Sequence, residues 1–312
     1  MNWWEVLVQQ SINGLTRGSV FALVALGYTM VYGIIELINF AHGDVFMLGL
    51  FVSMTYFTLL GMARTLHGWE LLIVLPLVFL ATMLTTGLVN VTVDRLAYRP
   101  LRHAFRLAPL ITAIGVSFMI ENLALIWQGP APVPYPDIFP SIDILREWFG
   151  VDSLIFLTTK DLLVVGATIP LMIRLQYFIT RTTWGKAMRA TAQDRETALA
   201  MGIDVEKTIL LTFFVGGALA GAAGLIQGLY YNIGMWYIGY QAGLRAFTAA
   251  VLGGIGNMPG AALGGLLIGF LSAWSDQYIS ARWTNAIVFS ILILVLVFRP
   301  HGLLGERTPE KL

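Results

Sequence analysis

Residues 13–49 read NGLTRGSVFALVALGYTMVYGIIELINFAHGDVFMLG and indicate the class of protein. Two long apolar runs flank one short polar cluster in this stretch. A helix needs roughly 20 predominantly apolar residues to cross about 30 Å of hydrocarbon, and the first run meets that length. The stretch therefore predicts two transmembrane helices joined by a polar break.

The composition extends this prediction to the whole chain. Of its 312 residues, 57% are hydrophobic and 12% charged, and the mean hydropathy is +0.75. The strict alternation of a membrane β-barrel is absent, so we expect an all-α integral membrane protein. The chain has no cysteine, which excludes disulfides and thiolate metal sites.

Hydropathy predicts about eight or nine transmembrane helices, some of them broken by glycine. Seven clear crossings lie near 15–35, 44–62, 71–93, 109–128, 161–180, 208–231 and 283–299. The glycine-rich segments 245–257 and 258–275 form either two further crossings or a re-entrant hairpin. Nine crossings would place the two termini on opposite sides of the membrane.

Basic residues predict the orientation, because cytoplasmic loops are enriched in lysine and arginine. They cluster in three segments, as Arg95, Arg99, Arg102 and Arg106, then Arg181, Lys186, Arg189, Arg195 and Lys207, then Arg299, Arg307 and Lys311. We expect these segments to be cytoplasmic, with the N-terminus outside and the C-terminus inside. The proline-rich loop 129–160 is then extracytoplasmic.

The loop 181–207, here called the coupling segment, is long for a connection between membrane helices. One stripe of mostly small residues recurs in it at three- and four-residue spacing, at Met188, Thr191, Ala192, Arg195, Ala198, Leu199 and Gly202. This pattern predicts one helix over 185–203 with a face that a partner protein can approach closely. We expect Gly202 to end that helix and Asp204 to begin the next.

Within this segment, ETALAMG at 196–202 resembles the motif by which membrane subunits of ABC importers dock on their ATPases, with Thr197 replacing the first alanine. Together with residues 13–49, RATAQDRETALAMGI at 189–203 and AVLGGIGNMPGAALGGLLIG at 250–269 resemble the blocks of branched-chain amino-acid importer permeases, more narrowly the H-type. The resemblance implies a single permease domain over 1–312 with the ABC importer permease fold, in a bacterial inner membrane. The coupling residues it implies are Arg189, Ala192, Asp194, Glu196, Ala198 and Gly202.

The same resemblance implies a set of partners. These are a second homologous permease, two cytoplasmic ATPase subunits and an extracytoplasmic substrate-binding protein. The chain contains no G-x-x-x-x-G-K-[ST] sequence, so we expect ATP to bind the partner ATPases and this chain to need no cofactor. Transport makes no bond in such a subunit, and we expect no catalytic residues and no metal site.

Two other functions remain open at this stage. Urea and short-amide permeases share similar blocks, while an ion-coupled secondary carrier would use Asp44 and Glu121 as coupling groups. A membrane enzyme is disfavoured, because the four histidines are scattered at positions 42, 67, 103 and 301.

The polar cluster between the first two spans consists of Glu36, Asn39, His42 and Asp44, flanked by Gly33 and Gly43. The predicted spans place it near the inner end of the first crossing. Ionisable groups at membrane depth are costly and normally mark a path or a partner. The cluster either offers an amino acid polar groups beside an apolar surface, or is structural, with Asp44 capping the second helix and His42 bonding a backbone carbonyl.

Two further positions are candidates for the translocation path. Glu121 and Asn122 lie mid-span, and Asn257 and Pro259 interrupt the glycine-rich segments. Most of the neighbouring glycines, such as Gly256 and Gly260, are better explained by close helix packing. The predicted path and gating residues are Asn39, His42, Gly43, Asp44, Glu121, Asn122, Asn257 and Pro259.

Overall fold

A computed structural model describes residues 3–35, 39–102, 104–105, 107–148, 150, 154–299 and 301–305. Glu36, Arg106, Arg307 and Lys311 lie outside the described residues. The helices are α1 (Trp3–Ile35), α2 (His42–Leu59), α3 (Gly68–Val93), α4 (Leu107–Gln128), α5 (Ile144–Glu147), α6 (Thr159–Arg181), α7 (Thr183–Gln193), α8 (Arg195–Ala200), α9 (Val205–Tyr231), α10 (Ile238–Gly253), α11 (Met258–Ser275) and α12 (Thr284–Phe298). Strands β1 (Val133–Pro134) and β2 (Ile233–Gly234) pair antiparallel.

The structure confirms an all-α membrane protein. Six described helices are long and apolar enough to cross a membrane, namely α1, α3, α4, α6, α9 and α11. The predicted crossings 44–62 and 283–299 correspond to the shorter helices α2 and α12, and the pair 245–257 and 258–275 corresponds to α10 and α11. The first prediction, 15–35, was too short, since α1 has 33 residues.

Different segments of the chain pack at the two ends of the helix bundle. The end of α1 meets the coupling segment, because Arg195 donates to the carbonyls of Ile34 and Ile35; we call this the coupling end. The beginning of α1 meets the loop 129–158, where Gln9 bonds Phe156; we call this the loop end. Residues 301–305 pack on the end of α10 at the coupling end. The described chain therefore begins and finishes at opposite ends.

Small residues let the central helices approach closely. A Cβ added at Gly18 would lie 2.8 Å from the Cα of Leu266, and one at Gly265 would lie 2.5 Å from the backbone nitrogen of Ala22. Such contacts are typical of helix packing in membranes. The packing interpretation is thus confirmed for α1 and α11 and for Gly260, which abuts Gly253, but it was wrong for Gly256, whose added Cβ would meet nothing.

The outer helices present apolar side chains to the surroundings. Leu72, Leu80 and Leu88 on α3 and Phe118 and Ile126 on α4 are all more than half exposed. A continuous exposed apolar surface of this kind is stable only in contact with lipid or another subunit. The central helices α1 and α9, by contrast, are mostly buried.

Candidate functional site

The second helix begins inside the bundle. The His42 ring lies against Gly27 of α1, where an added Cβ would be 2.6 Å from Cε1. Gly27 precedes the last residue of α1 by eight positions, so this contact lies roughly 12 Å from that helix end. The cluster therefore lies roughly two helical turns inside the coupling end, because the chain turns back into the bundle after α1.

Gly43 lies where α2 and α10 begin. An added Cβ on Gly43 would lie 2.7 Å from the Cα of Gly243. The two backbones are in direct contact, and only glycine leaves room for this. Both helices thus begin deep in the structure rather than at its ends.

The Asp44 carboxylate lies between α4 and α10. The Ser117 hydroxyl donates a 2.5 Å hydrogen bond to Oδ2, while Oδ1 has no hydrogen-bond partner among the described residues. Oδ1 lies close to Gly239, in the first turn of α10, where the partial positive charge of a helix N-terminus favours a carboxylate. Asp44 is fully buried, which disfavours its negative charge, and the Ser117 hydroxyl and the start of α10 offset part of this cost.

The structural interpretation of the cluster was wrong for Asp44. The N-terminus of α2 is at Ala41 and has no side-chain cap, so Asp44 does not cap its own helix. The buried His42 ring approaches the backbone carbonyl of Val24, as that interpretation expected, although neither ring nitrogen has a hydrogen-bond partner of good geometry among the described residues. The ring also meets Tyr28 edge-on, with centroids 4.7 Å apart.

Glu121 and Asn122 point to different sides of α4. Glu121 follows Ser117 by one turn, is buried, and lies near enough to Asp44 for the two negative charges to repel each other. Asn122 is exposed and donates to the carbonyl of Phe118 in its own helix. The structure thus brings Asp44, Ser117 and Glu121 together and leaves Asn122 outside this group.

Asn39 is held by a residue that the sequence did not single out. The Tyr98 hydroxyl donates a 2.6 Å hydrogen bond to Asn39 Oδ1. Tyr98 ends a π-helical turn, Asp94–Tyr98, that continues α3. A basic loop with a tyrosine carries no local signal for such a contact, which joins positions 59 residues apart.

An ion network lies beside this contact. Arg102 contacts both oxygens of Asp94 at 2.8 Å and Glu206 at 2.6 Å, and Arg99 contacts Glu206 at 3.0 Å. Glu206 is in the first turn of α9. The end of α3 is therefore fastened to the beginning of α9.

Asn257 and Pro259 form the start of α11 at the coupling end. The Asn257 side chain accepts from the backbone of Gly260 at 2.9 Å and donates to the Leu304 carbonyl at 2.8 Å. Pro259 lies in the first turn, where its missing N–H is not needed. These contacts give both residues a structural role and place them apart from Asp44.

The coupling segment is not one helix. α7 and α8 are separated at Asp194, whose extended backbone begins α8. Its carboxylate accepts from the backbone nitrogens of Glu196 and Thr197. The prediction of a single helix over 185–203 was wrong, and aspartate, a preferred N-cap residue, was the available signal.

The end of α8 was predicted correctly. Gly202 has φ +82°, and the backbone nitrogens of Gly202 and Ile203 donate to Leu199 and Ala198. Asp204 then caps α9 by accepting from the Lys207 backbone. Its hydrogen bonds with Lys207 lower the pKa of Asp204, so this cap stays ionised at neutral pH.

The predicted coupling residues differ in exposure. Arg189, Asp194, Glu196 and Gly202 are exposed, Ala192 is half-buried, and Ala198 is buried. Leu199 and Met201, at 58% and 78% exposure, add an apolar surface beside them. The stripe of mostly small residues in the sequence included Leu199. It did not include Met201, which lies in the turn that follows α8.

A bundle of membrane-crossing helices with buried acidic groups at its centre and an exposed two-helix segment at one end is the architecture of a membrane permease. The family described as branched-chain amino acid transport system, permease component, matches residues 10–297. The chain belongs to this family.

Individual relatives support this family assignment. The chain is 40% identical over 307 residues to the high-affinity branched-chain amino acid transport permease LivH of Escherichia coli, covering 97% of each protein. It is 41% identical over 306 residues to BraD of Pseudomonas aeruginosa, again covering 97% of each. The chain is 28% identical over 166 residues to the xylose transport permease XylH of Escherichia coli, and this match covers 51% of this chain and 40% of XylH. No solved structure gives a significant match.

Proposed function

We propose that this chain is a membrane-spanning permease subunit of an ATP-driven importer for leucine, isoleucine and valine. The observation that carries the proposal is the similarity to LivH along nearly the whole of both chains. The similarity to a sugar permease covers only half of this chain. The cargo is therefore assigned from the full-length relatives.

The translocation path passes the face formed by Asp44, Ser117 and Glu121. Buried carboxylates suit the ammonium group of an amino acid, and Oδ1 of Asp44, which has no hydrogen-bond partner among the described residues, can accept from it. Neighbouring apolar residues, including Phe40 and Phe247, whose ring centroids are 6.0 Å apart, suit a branched side chain. Asn39, His42 and Gly43 support this face.

The coupling end is cytoplasmic and the loop end extracytoplasmic in this proposal. The support is the basic residues at the coupling end, in agreement with the positive-inside rule. Two ATPase subunits dock on the coupling segment, a binding protein delivers cargo at the loop end, and a homologous permease completes the path. ATP binds to the ATPases, and this chain catalyses no reaction.

The first experiment purifies the complex from cells that also express the ATPases, the second permease and the binding protein. Gly202→Arg is expected to abolish ATPase co-purification, since it places a long charged side chain on the docking surface. Gly61→Arg is the matched control, because both glycines have positive φ, and an added Cβ would meet nothing at either site. Gly61 follows α2 at the loop end, and its variant should retain the ATPases.

Leucine uptake into proteoliposomes is measured with the same complexes. Uptake that requires ATP and the binding protein supports the proposal. Uptake of urea in place of leucine would contradict the assignment of branched-chain amino acids as the cargo. Leucine uptake that follows a proton gradient without any ATPase would contradict the proposal that this chain is part of an ATP-driven importer.

A further inference from the structure

Arg195 connects the coupling segment to the end of α1. It is the first residue of α8, and its Nη2 donates to the carbonyl oxygens of Ile35 at 2.8 Å and Ile34 at 3.2 Å. The last carbonyls of a helix lack partners within the helix and carry partial negative charge. The guanidinium supplies both a donor and a positive charge at this point.

The end of α1 leads directly to the intramembrane site. Only residues 36–41 separate Ile35 from His42, the first residue of α2. Asp44 follows within the first turn of α2. A displacement of the last turn of α1 therefore acts on the beginning of α2 through a short connection.

The other end of this connection is held by a different part of the molecule. Asn39 is bonded to Tyr98, and the ion network of Asp94, Arg102 and Glu206 fastens the neighbouring turn to α9. The chain between α1 and α2 thus has one attachment to the coupling segment and another to α3 and α9. Relative movement of these two parts must change the connection.

We infer that Arg195 is a positioning residue that transmits movement of α8 to the start of α2, and so couples the ATPases to the face formed by Asp44, Ser117 and Glu121. This inference rests on the proposed function, because it requires ATPases on the coupling segment. Arg195 is half-buried and turned toward α1, whereas Glu196 and Leu199 of the same helix are exposed. Docking and transmission are thereby assigned to different residues of one short helix.

The test measures movement near α2 directly. The chain contains no cysteine, so Phe40→Cys provides a single thiol in the 36–41 connection. Its rate of labelling by a maleimide is compared in the nucleotide-free complex and in the complex trapped with ATP and vanadate. Position 40 is partly buried, so its labelling rate responds to a rearrangement there.

In the Phe40→Cys background, Arg195→Gln is expected to abolish the several-fold difference in labelling rate between the two states while the ATPases still co-purify. In the chain that keeps Phe40, Arg195→Gln is expected to lower leucine uptake at least tenfold. Arg95→Gln is the matched control, since Arg95 is an exposed arginine in the turn that follows α3. Arg195→Lys keeps the positive charge but lacks the planar guanidinium group, so it should retain part of the difference in labelling rate between the two states. If the glutamine variant does not fold, the lysine variant is measured in its place.

Several outcomes would overturn the inference. An undiminished labelling difference in Arg195→Gln, or in Arg195→Lys where only that variant folds, would show that Arg195 does not transmit movement. Loss of the ATPases from Arg195→Gln would make it a docking residue. Failure of the unsubstituted complex to retain ATPases would refute the proposed function, and this inference with it.

Discussion

Gly43 and Gly243 touch through their backbones, because a Cβ on Gly43 would lie 2.7 Å from the Cα of Gly243. This contact joins the first turn of α2 to the second turn of α10 in the interior of the bundle. Helices that begin at membrane depth expose polar backbone groups to a central site, as in transporters with discontinuous helices. The close approach of these two glycines thus gives the polar face its position.

Gly43→Ala is expected to destabilise the protein by about 1–3 kcal/mol, because the extra methyl group must push two backbones apart. The free energy of unfolding in detergent measures this effect. Gly115→Ala on α4 is the control, since its added Cβ would meet nothing. Alanine favours a helix over glycine by up to about 1 kcal/mol, so the control should be neutral or stabilising. Equal stability of the two variants would contradict the packing described here.

Asp44→Asn and Glu121→Gln are each expected to lower leucine uptake at least tenfold while the complex remains assembled. Both changes keep the shape of the side chain and remove the negative charge that would pair with an ammonium group, for which one factor of ten corresponds to about 1.4 kcal/mol. Asn122→Ala should change uptake much less, because Asn122 is exposed and bonds only its own helix among the described residues. A larger loss in Asn122→Ala than in Glu121→Gln would move the path to the other side of α4.

Asp94→Asn is expected to cost about 3–5 kcal/mol of unfolding free energy, because it leaves the buried Arg102 without its buried carboxylate partner and with only the more exposed Glu206. The side chains of Asp94 and Arg102 are 0% and 6% exposed. Arg64→Gln breaks the comparable pair with Glu70, but those side chains are 24% to 55% exposed and the change should cost less than about 1 kcal/mol. Denaturant titration of both variants under the same conditions decides whether burial makes the difference.

Tyr135→Phe tests the packing of the loop end. The Tyr135 hydroxyl lies 3.0 Å from Ser53 Oγ, and removing this neutral hydrogen bond should lower stability by about 1 kcal/mol. Burial raises the pKa of Tyr135 above its ordinary value of 10.0, so the folded state keeps the neutral form. The unfolded chain ionises first as the pH rises above 10.0, and the stabilising contribution of the hydroxyl should then decline.

Thermal unfolding measured at pH 7 and above pH 10 gives both results. Tyr177→Phe, on the exposed surface of α6, is the control and should leave the midpoint unchanged. A pH-independent difference between Tyr135→Phe and the unsubstituted protein would argue against ionisation of Tyr135 as its cause.

Local chemistry explains which features could be read from the sequence. The apolar runs indicated membrane helices because hydrocarbon excludes an unpaired backbone. Gly202 and Asp204 indicated a helix end and a helix start, since positive φ and N-capping depend on a few adjacent residues. Asp194 carried the same kind of signal for the division of α7 from α8, although the regular spacing of small residues obscured it.

The sequence by itself determined the membrane class, the approximate helix positions and the family motifs, all of which depend on composition and short spacings. Only the tertiary structure decided the depth of His42, the meeting of Asp44 with Ser117 and the contact of Arg195 with the end of α1. The hydrogen bond between Asp44 and Ser117 joins residues 73 positions apart, and the one between Arg195 and Ile35 joins residues 160 positions apart. Helix packing brings them together, and the apolar pattern of one helix contains no information about which neighbour it meets.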